Sequence, residues 1–534
     1  MGNYVATMAV HAPRVVDEPF VGMGEQIQRL ARSQPNRVAL IDAGAEISWA
    51  ALVARANRIA NRLREAGMTV GDMVAGLSEN SADYIALYLG VLTAGGCMVP
   101  LSGMASGDAL ALMINDCDAE FLFVSAHNAP LLAEVGDRLS RIPPAARIGL
   151  DEPLPDSGLN LDSWLGDIDD TASPAAVTPD DPFNLIYSSG TTGTPKGILH
   201  DHRFRYRQLS RMGAYGLGAG AINLVSTPLY SNTTLVSALA TLFHGGTLVL
   251  MARFETSRFL ALSERYRVTH AILVPVQFQR LLDDPEFDRF DLSSFELKLS
   301  TGAPLHSELI GRVMARWPGN LRELYGLTEG GINASLDCAA YPDKWDTVGQ
   351  PTAGAEIRVI DEHGRPLARG EVGELVGRAP SMMRGYYHRE AETAAMLWTS
   401  PEGSVFYRSG DIGRVDEDGF VHILGRRKDV IVSGGFNIYA VDIEDLLGQH
   451  PSVADVAVIG IPSSRWGETP LALVVLRPGA TAGCEELLAW ANDRLGKTQR
   501  LAGVEYRDAL ARSAVGKILK RELRAPYWSD DEPT

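Results

Sequence analysis

Tyr187-Ser188-Ser189-Gly190-Thr191-Thr192-Gly193-Thr194-Pro195-Lys196-Gly197 is the stretch on which the reading of this chain turns. The apolar run Asn184 to Tyr187 reads as a buried strand, so the loop leaves a strand end. Its glycines permit tight turns that expose backbone N–H groups, and its serine and threonine hydroxyls add donors. Lys196 brings a mobile positive charge. Such a set suits a polyphosphate. The order is not that of the common NTPase loop, which needs Gly-Lys-Ser/Thr, because Thr194 and Pro195 stand between Gly193 and Lys196. On composition alone, a solvated turn is the competing reading.

Outward from this loop the chain alternates helices with short apolar strands. Leu52, Ala56, Ile59 and Leu63 form one stripe of a helix over Ala51 to Glu65, stopped by Gly67. Tyr84 to Ala94 is an apolar segment broken by Gly95-Gly96, and Phe121 to Val124 is a short buried strand. Residues 151–181, rich in Asp, Pro and Ser, read as a surface connection. Further strands are expected at Ala221 to Ser226, Thr247 to Met251, His270 to Val274 and Leu297 to Ser300, each followed by a turn or helix. Beyond Pro351 the texture changes to short strands at Glu356 to Ile360, Glu374 to Gly377, Val405 to Tyr407 and Val421 to Leu424. The turns 361–364 and 416–419 separate them, which predicts a smaller antiparallel region. The last section, 429–534, reads as a βαβ-type unit with helices at Asp442 to Leu447 and Glu485 to Arg494. Its strands fall in Val453 to Ile461 and Leu471 to Leu476. The expected class is α/β: a large multi-layer N-terminal domain with parallel-sheet units and a smaller β region, plus a small mobile α+β C-terminal domain.

The chain has 534 residues, with 49 Lys and Arg against 66 Asp and Glu, a formal charge of −17. So acidic a surface argues against a general nucleic-acid binder, although one local positive pocket still takes a small anion. Cys97, Cys117, Cys338 and Cys484 have no metal or redox spacing and read as free thiols of a reducing compartment. No signal peptide or membrane span is expected, which predicts a cytoplasmic protein.

Further blocks carry chemistry. In Tyr325-Gly326-Leu327-Thr328-Glu329-Gly330, Glu329 can hold Mg2+ near phosphate oxygens, with the Thr328 hydroxyl beside it and Tyr325 over an adenine face. A helix cap with a surface glutamate is the bland alternative. In Tyr407-Arg408-Ser409-Gly410-Asp411, the aspartate can accept both ribose hydroxyls, or simply close a β-turn. Gly425-Arg426-Arg427-Lys428-Asp429 is a charged linker at a plausible domain boundary. Ser433-Gly434-Gly435-Phe436-Asn437-Ile438 is a run with little side-chain bulk at its centre. Lys517, in Ser513-Ala514-Val515-Gly516-Lys517-Ile518-Leu519-Lys520, is by itself as easily a solvated lysine.

The 187–197 loop closely resembles the signature of the adenylate-forming superfamily, which contains acyl- and aryl-CoA synthetases, luciferases and peptide-synthetase adenylation domains. The likeness runs from about Trp49 to Leu523. It implies an enzyme using ATP, Mg2+ and CoA: Ser189, Gly190, Thr191, Thr192, Gly193, Thr194 and Lys196 for the phosphates, and Gly302, Ala303 and Pro304 along the adenine and acyl pockets. It also implies Tyr325 and Gly326 at the nucleotide, Thr328 and Glu329 at the metal, and Asp411 on the ribose with Arg426 beside it. Lys517 becomes the lysine that reaches the carboxylate and α-phosphate. Gly434 and Gly435 line the pantetheine path. Residues 1–427 then form the domain carrying the ATP and acid pockets, and 428–534 a lid turning on Lys428.

The acid pocket is expected to draw on His200, Tyr230, Ser231, Asn232, Val274, Ala303 and Gly330. Ser231 stands where many relatives carry histidine. The resemblance implies an acid–CoA ligase, the acid being an aromatic or arylpropenoate such as ferulate. The alternatives are a medium-chain fatty acid, an enzyme loading a separate carrier protein, luciferase-like oxygenation, and a nonenzymatic nucleotide binder. The expected partners are the acid and CoA, with no nucleic acid, on a monomer or homodimer.

Overall fold

The computed structural model describes residues 19–171, 173–188, 195–513 and 516–528. Among these, four sheets organise the chain. In a nine-stranded sheet, six parallel strands run in the order Asn320–Gly326, Leu297–Thr301, His270–Leu273, Ile222–Val225, Thr247–Leu250 and Val38–Asp42. Antiparallel strands, Asn333–Asp337 and Gln350–Pro351 at one side and Ala45–Ser48 at the other, close its edges. A seven-stranded sheet has a parallel core of Pro182–Ser188, Cys97–Leu101, Met73–Leu77, Phe121–Val124 and Arg147–Gly149. Strand Lys196–Asp201 returns antiparallel along Pro182–Ser188. Residues 189–194 stand in the chain between the two arms of this hairpin.

The largest apolar cluster ties the inner faces of both sheets together through a shared helical layer, and separate clusters cover the outer faces. Within that layer, helix Trp49–Glu65 starts on the Ser48 hydroxyl, which accepts the Ala51 N–H at 3.2 Å. Helix Ala82–Ala94 starts on Ser81 and ends at Gly95 in the left-handed region. The second helix is buried from Tyr84 to Ala94, which accounts for its apolar sequence without a polar face. The two helices cross at Gly90, where a Cβ would meet Ile59 at 2.7 Å.

The expected antiparallel region is a five-stranded sheet built from Glu356–Ile360, Gly373–Arg378, Leu397–Thr399, Val405–Val415 and Val421–Arg426. Val405–Val415 is longer than its sequence suggested. Gly410, at φ 70°, lets the strand continue past Ser409 so that Asp411 is mid-strand. The C-terminal section forms its own five-stranded sheet. There Val453–Ser463 and Gly467–Leu476 make an antiparallel hairpin, and the parallel partner of the second strand is Gly503–Tyr506, reached through helix Cys484–Asn492.

Residues 151–181 do more than connect. A helix at Leu161–Leu165, capped reciprocally by Asn160 and Ser163, buries Trp164 edge-on against Phe123. Five residues are too few to display a period, so the element leaves no pattern in the sequence. The four cysteines are free, and no helix among the described residues is long and apolar enough to cross a membrane.

Candidate active site

Side-chain contacts link the hairpin of the seven-stranded sheet to the turn after strand Asn320–Gly326. Lys196, half-buried at the start of the returning strand, holds its Nζ 5.3 Å from the centre of the Tyr386 ring. The Tyr386 hydroxyl donates to Glu329 Oε1 at 2.8 Å, so this tyrosine bridges the loop lysine to the carboxylate. Its own proton is held well above the usual phenol range by burial and then by Glu329. Ser189, Gly190, Thr191, Thr192, Gly193 and Thr194 lie outside the described residues.

Glu329 sits on a turn after strand Asn320–Gly326, closed by the Gly330 N–H donating to Leu327 carbonyl at 3.0 Å. Gly330 has φ 71°, and a Cβ there would fall 2.3 Å from the Ser381 carbonyl oxygen and 2.7 Å from the Phe204 ring. Any larger residue there would have to displace the Ser381 backbone. Behind the turn lies His200, fully buried and stacked flat on Phe204 at 3.9 Å. One ring nitrogen meets Asn184 at 3.2 Å and the other the Thr328 carbonyl at 2.7 Å. Both are thus engaged inside the protein, and burial holds the ring far below its ordinary pKa. His200 therefore does not offer a polar atom to an acid pocket; its contacts are with the wall behind it.

Tyr325 donates its hydroxyl to Asp411 Oδ2 at 2.6 Å, and Arg426 Nε lies 3.3 Å from Oδ1. Asp411 and Arg426 face each other in register on neighbouring strands. Desolvation raises the Asp411 carboxyl, opposed by Arg426, Tyr325 and Lys517. Gly302, at φ 92°, Ala303 and Pro304 leave the end of strand Leu297–Thr301 nearby in the sheet.

Residues Tyr230 and Ser231 lead into helix Asn232–Phe243. Asn80 fixes this entry, donating to the Thr227 carbonyl and accepting the Leu229 N–H. The Tyr230 hydroxyl and Asn232 Oδ1 are buried without a hydrogen bond of normal geometry among the described residues. Ser102 is the polar neighbour of Tyr230, whose pKa burial raises. Asn333, opposite Gly326 on the ladder, likewise has a buried, unpartnered Nδ2. Neither Asn333 nor Tyr386 carries a signal in the sequence; only the sheet register brings them here.

Lys517 arrives from the C-terminal section. Its loop is closed by Ser513 N–H donating to the Lys517 carbonyl, and Arg512 clamps it by reaching both the Gly516 carbonyl at 2.7 Å and Asp455 at 2.6 Å. A Cβ on Gly516 would lie 3.1 Å from Val276 and 3.2 Å from Val274, so the loop rests on the start of helix Pro275–Leu282. The Lys517 side chain retains solvent access while protein surrounds it at longer range. Desolvation first, then Arg426, holds the ammonium below the ordinary lysine range, against Asp411 and Glu329. Gly434 and Gly435 lie on an exposed face, with Gly434 beneath Trp466. Lys428 is exposed in the short turn Arg427–Asp429.

The chain matches two family models in order: AMP-binding enzyme over residues 27–387, and AMP-binding enzyme C-terminal domain over 442–517. It is 33% identical over 510 residues to a feruloyl-CoA synthase of an Amycolatopsis species, covering 95% of this chain and 99% of that one. A fatty acid–[acyl-carrier-protein] ligase, ScoC of Streptomyces coeruleorubidus, is 31% identical, with 94% and 95% of the two chains covered. Among solved structures, ATP-bound MatB from Rhodopseudomonas palustris superposes with a TM-score of 0.84 at 30% identity, over 95% of this chain and 99% of that one. The apo form of the same protein superposes at 0.74, with 29% identity over 95% of this chain and 99% of that one. With both models matched and these relatives aligned nearly end to end, the chain belongs to the AMP-binding enzymes, the adenylate-forming superfamily, as an AMP-forming acid–thiol ligase.

Proposed function

We propose that this protein joins an aromatic or arylpropenoate acid, such as ferulate, to CoA through an acyl-adenylate. The observation that carries the first half is the docking of the Lys517 loop on Val274, with the lysine electrostatically coupled to Asp411 and Glu329. A carboxylate oxygen attacks the α-phosphorus of ATP, the bond to the β-phosphate oxygen breaks, and pyrophosphate leaves. Lys517 aligns the two anionic reactants, and Lys196 neutralises the departing phosphates. Tyr325, Asp411 and Arg426 seat the nucleoside, with the ribose on Asp411.

The described residues contain no cluster of three metal-ligating side chains. The one carboxylate of Glu329, with Thr328 beside it, still fits Mg2+, which takes few protein ligands and completes its shell from phosphate oxygens and water. When bound, Mg2+ would spread the phosphate charge.

In the second half, the thiol sulfur attacks the acyl carbonyl, the acyl–phosphate bond breaks, and AMP leaves. The Lys517 loop rests on Val274 and Val276 while the Gly434-Gly435 loop is exposed, so exchange of the two loops requires residues 428–534 to turn against 1–427 near Lys428. The greater likeness to ATP-bound than to apo MatB supports reading this arrangement as the adenylating one. A cytoplasmic setting fits the use of ATP and CoA and the free cysteines.

The acid assignment rests on Asn232 and Asn333, whose unpartnered buried polar atoms suit an acid bearing a hydroxyl better than an alkyl chain. The feruloyl-CoA synthase likeness favours the same choice. The ScoC likeness favours a second reading, in which the acyl group goes to a carrier protein.

The test is pyrophosphate release and thioester formation measured together with ferulate, 4-coumarate, benzoate, octanoate and acetate. Thioester from ferulate or coumarate alone is expected. Preference for octanoate overturns the acid assignment. Release of pyrophosphate without CoA thioester moves the acceptor to a carrier protein.

A further inference from the structure

The hairpin that carries the phosphate loop and the turn that carries Glu329 are separate in sequence, and one buried chain of polar side chains joins them. Asn184 and His200 form a register pair on the two hairpin strands. Arg205, on the helix that follows, donates from Nε to Asn184 Oδ1 at 2.7 Å and from Nη1 to Gln208 at 2.6 Å. Arg205, Asn184 and His200 are each 0% exposed.

The direction of every bond follows from chemistry. A guanidinium only donates, so the Asn184 oxygen faces Arg205 and its NH2 faces His200. Nδ1 of His200 must then accept, which leaves the proton on Nε2. The same result comes from the other end: a carbonyl only accepts, so the 2.7 Å contact with Thr328 requires a proton on Nε2. The Phe204 ring, 5° from parallel, holds the imidazole plane.

We propose that Arg205, Asn184 and His200 act as positioning residues for adenylation, a strut that pins the Thr328 carbonyl and thereby fixes the Thr328 and Glu329 side chains relative to the phosphate-loop hairpin. The strut rests on the adenylation reading above. It works as outer partners of metal and phosphate ligands do, by fixing backbone that the reacting groups share.

Two measurements test this. The first is the 15N NMR spectrum of histidine-labelled native protein, in which His200 is expected as the neutral Nε2–H tautomer. An imidazolium or an Nδ1–H tautomer overturns the strut. The second is calorimetric binding of α,β-methylene-ATP with Mg2+ to folded variants. His200→Leu is expected to weaken binding about tenfold, and Arg205→Met to weaken it in the same direction. His200→Gln, whose amide can still donate to Thr328, is expected to recover most of the loss. Native affinity in folded His200→Leu overturns the proposal, as does equal loss in the Leu and Gln variants. If His200→Leu does not fold, the tautomer and Arg205→Met still decide. Failure of the native protein to bind the analogue counts instead against the adenylation reading.

Discussion

The Tyr325 hydroxyl donates to Asp411 Oδ2 at 2.6 Å, joining the end of the nine-stranded sheet to the middle of the antiparallel one. A hydrogen bond to a charged group contributes about 1.5–3 kcal/mol. Tyr325→Phe is therefore expected to raise KM for ATP about tenfold, with KM for the acid within about twofold. Steady-state kinetics with each substrate varied in turn checks this. An ATP KM unchanged in Tyr325→Phe would remove Tyr325 from the nucleotide site.

Lys517→Ala is expected to slow pyrophosphate release by about 100-fold or more, because a preorganised charge beside the reacting oxygens is lost. Thioester formation from a synthetic acyl-adenylate should survive. The Lys517 ammonium is held below its ordinary pKa, so the adenylating step should lose activity with rising pH earlier than a normal lysine allows. Lys517→Arg, charged throughout, should carry that limb to higher pH. Single-turnover rates across pH read both effects.

His306 Nδ1 meets Asp445 at 2.8 Å, and Arg477 meets Glu308 at 3.5 Å, tying the start of helix Ser307–Arg316 to the C-terminal section. The hydrogen bond to Asp445 is the main cause raising the His306 pKa, with Glu444 and Glu323 adding to it. A raised histidine stabilises the contact fully below its unfolded value of about 6.5, and that contribution is lost as pH rises through the folded value. Both side chains are over half exposed, so the pair contributes about 0.5–1 kcal/mol at most. Asp445→Asn should slow adenylation about two- to fivefold at pH 6.5 and little at pH 8.5. Equal effects at both pH values would contradict the assignment.

Gly330→Ala combines a left-handed φ with a backbone clash, and should cost about 3 kcal/mol. Gly403 also has a positive φ, 84°, but open space around it, so Gly403→Ala should cost only about 1 kcal/mol. Melting temperatures of the two variants give the comparison. A smaller drop for Gly330→Ala than for Gly403→Ala would show that the Ser381 segment yields.

The family likeness was legible in the sequence because each of its motifs is a short run of local residue order: glycines at a turn, a carboxylate beside a hydroxyl, an aspartate after Ser409-Gly410. The parallel strands at Phe121–Val124, Pro182–Ser188, Ile222–Val225, Thr247–Leu250, His270–Leu273 and Leu297–Thr301 were legible as short apolar runs between turns, whereas Val38–Asp42, Met73–Leu77, Cys97–Leu101, Arg147–Gly149 and Asn320–Gly326 were not read from the sequence. The helix around Trp164 was not, being shorter than two turns, and the reach of Val405–Val415 was hidden by Gly410. His200 shows the limit most clearly. Its type and its place just after the phosphate loop suggested a pocket residue, yet its stacking on Phe204 and its bonds to Asn184 and Thr328 turn it inward. By itself, the sequence determined the class of fold, because the alternation of short strands, helices and turns follows from local residue order. Only the tertiary structure decided that Tyr386 bridges Lys196 to Glu329, that the Lys517 loop rests on Val274 and Val276 while Gly435 is exposed, and that a buried chain of side chains backs the Glu329 turn. Those relationships depend on sheet register and on contacts between distant segments, where a side chain's role is set by the atoms across from it.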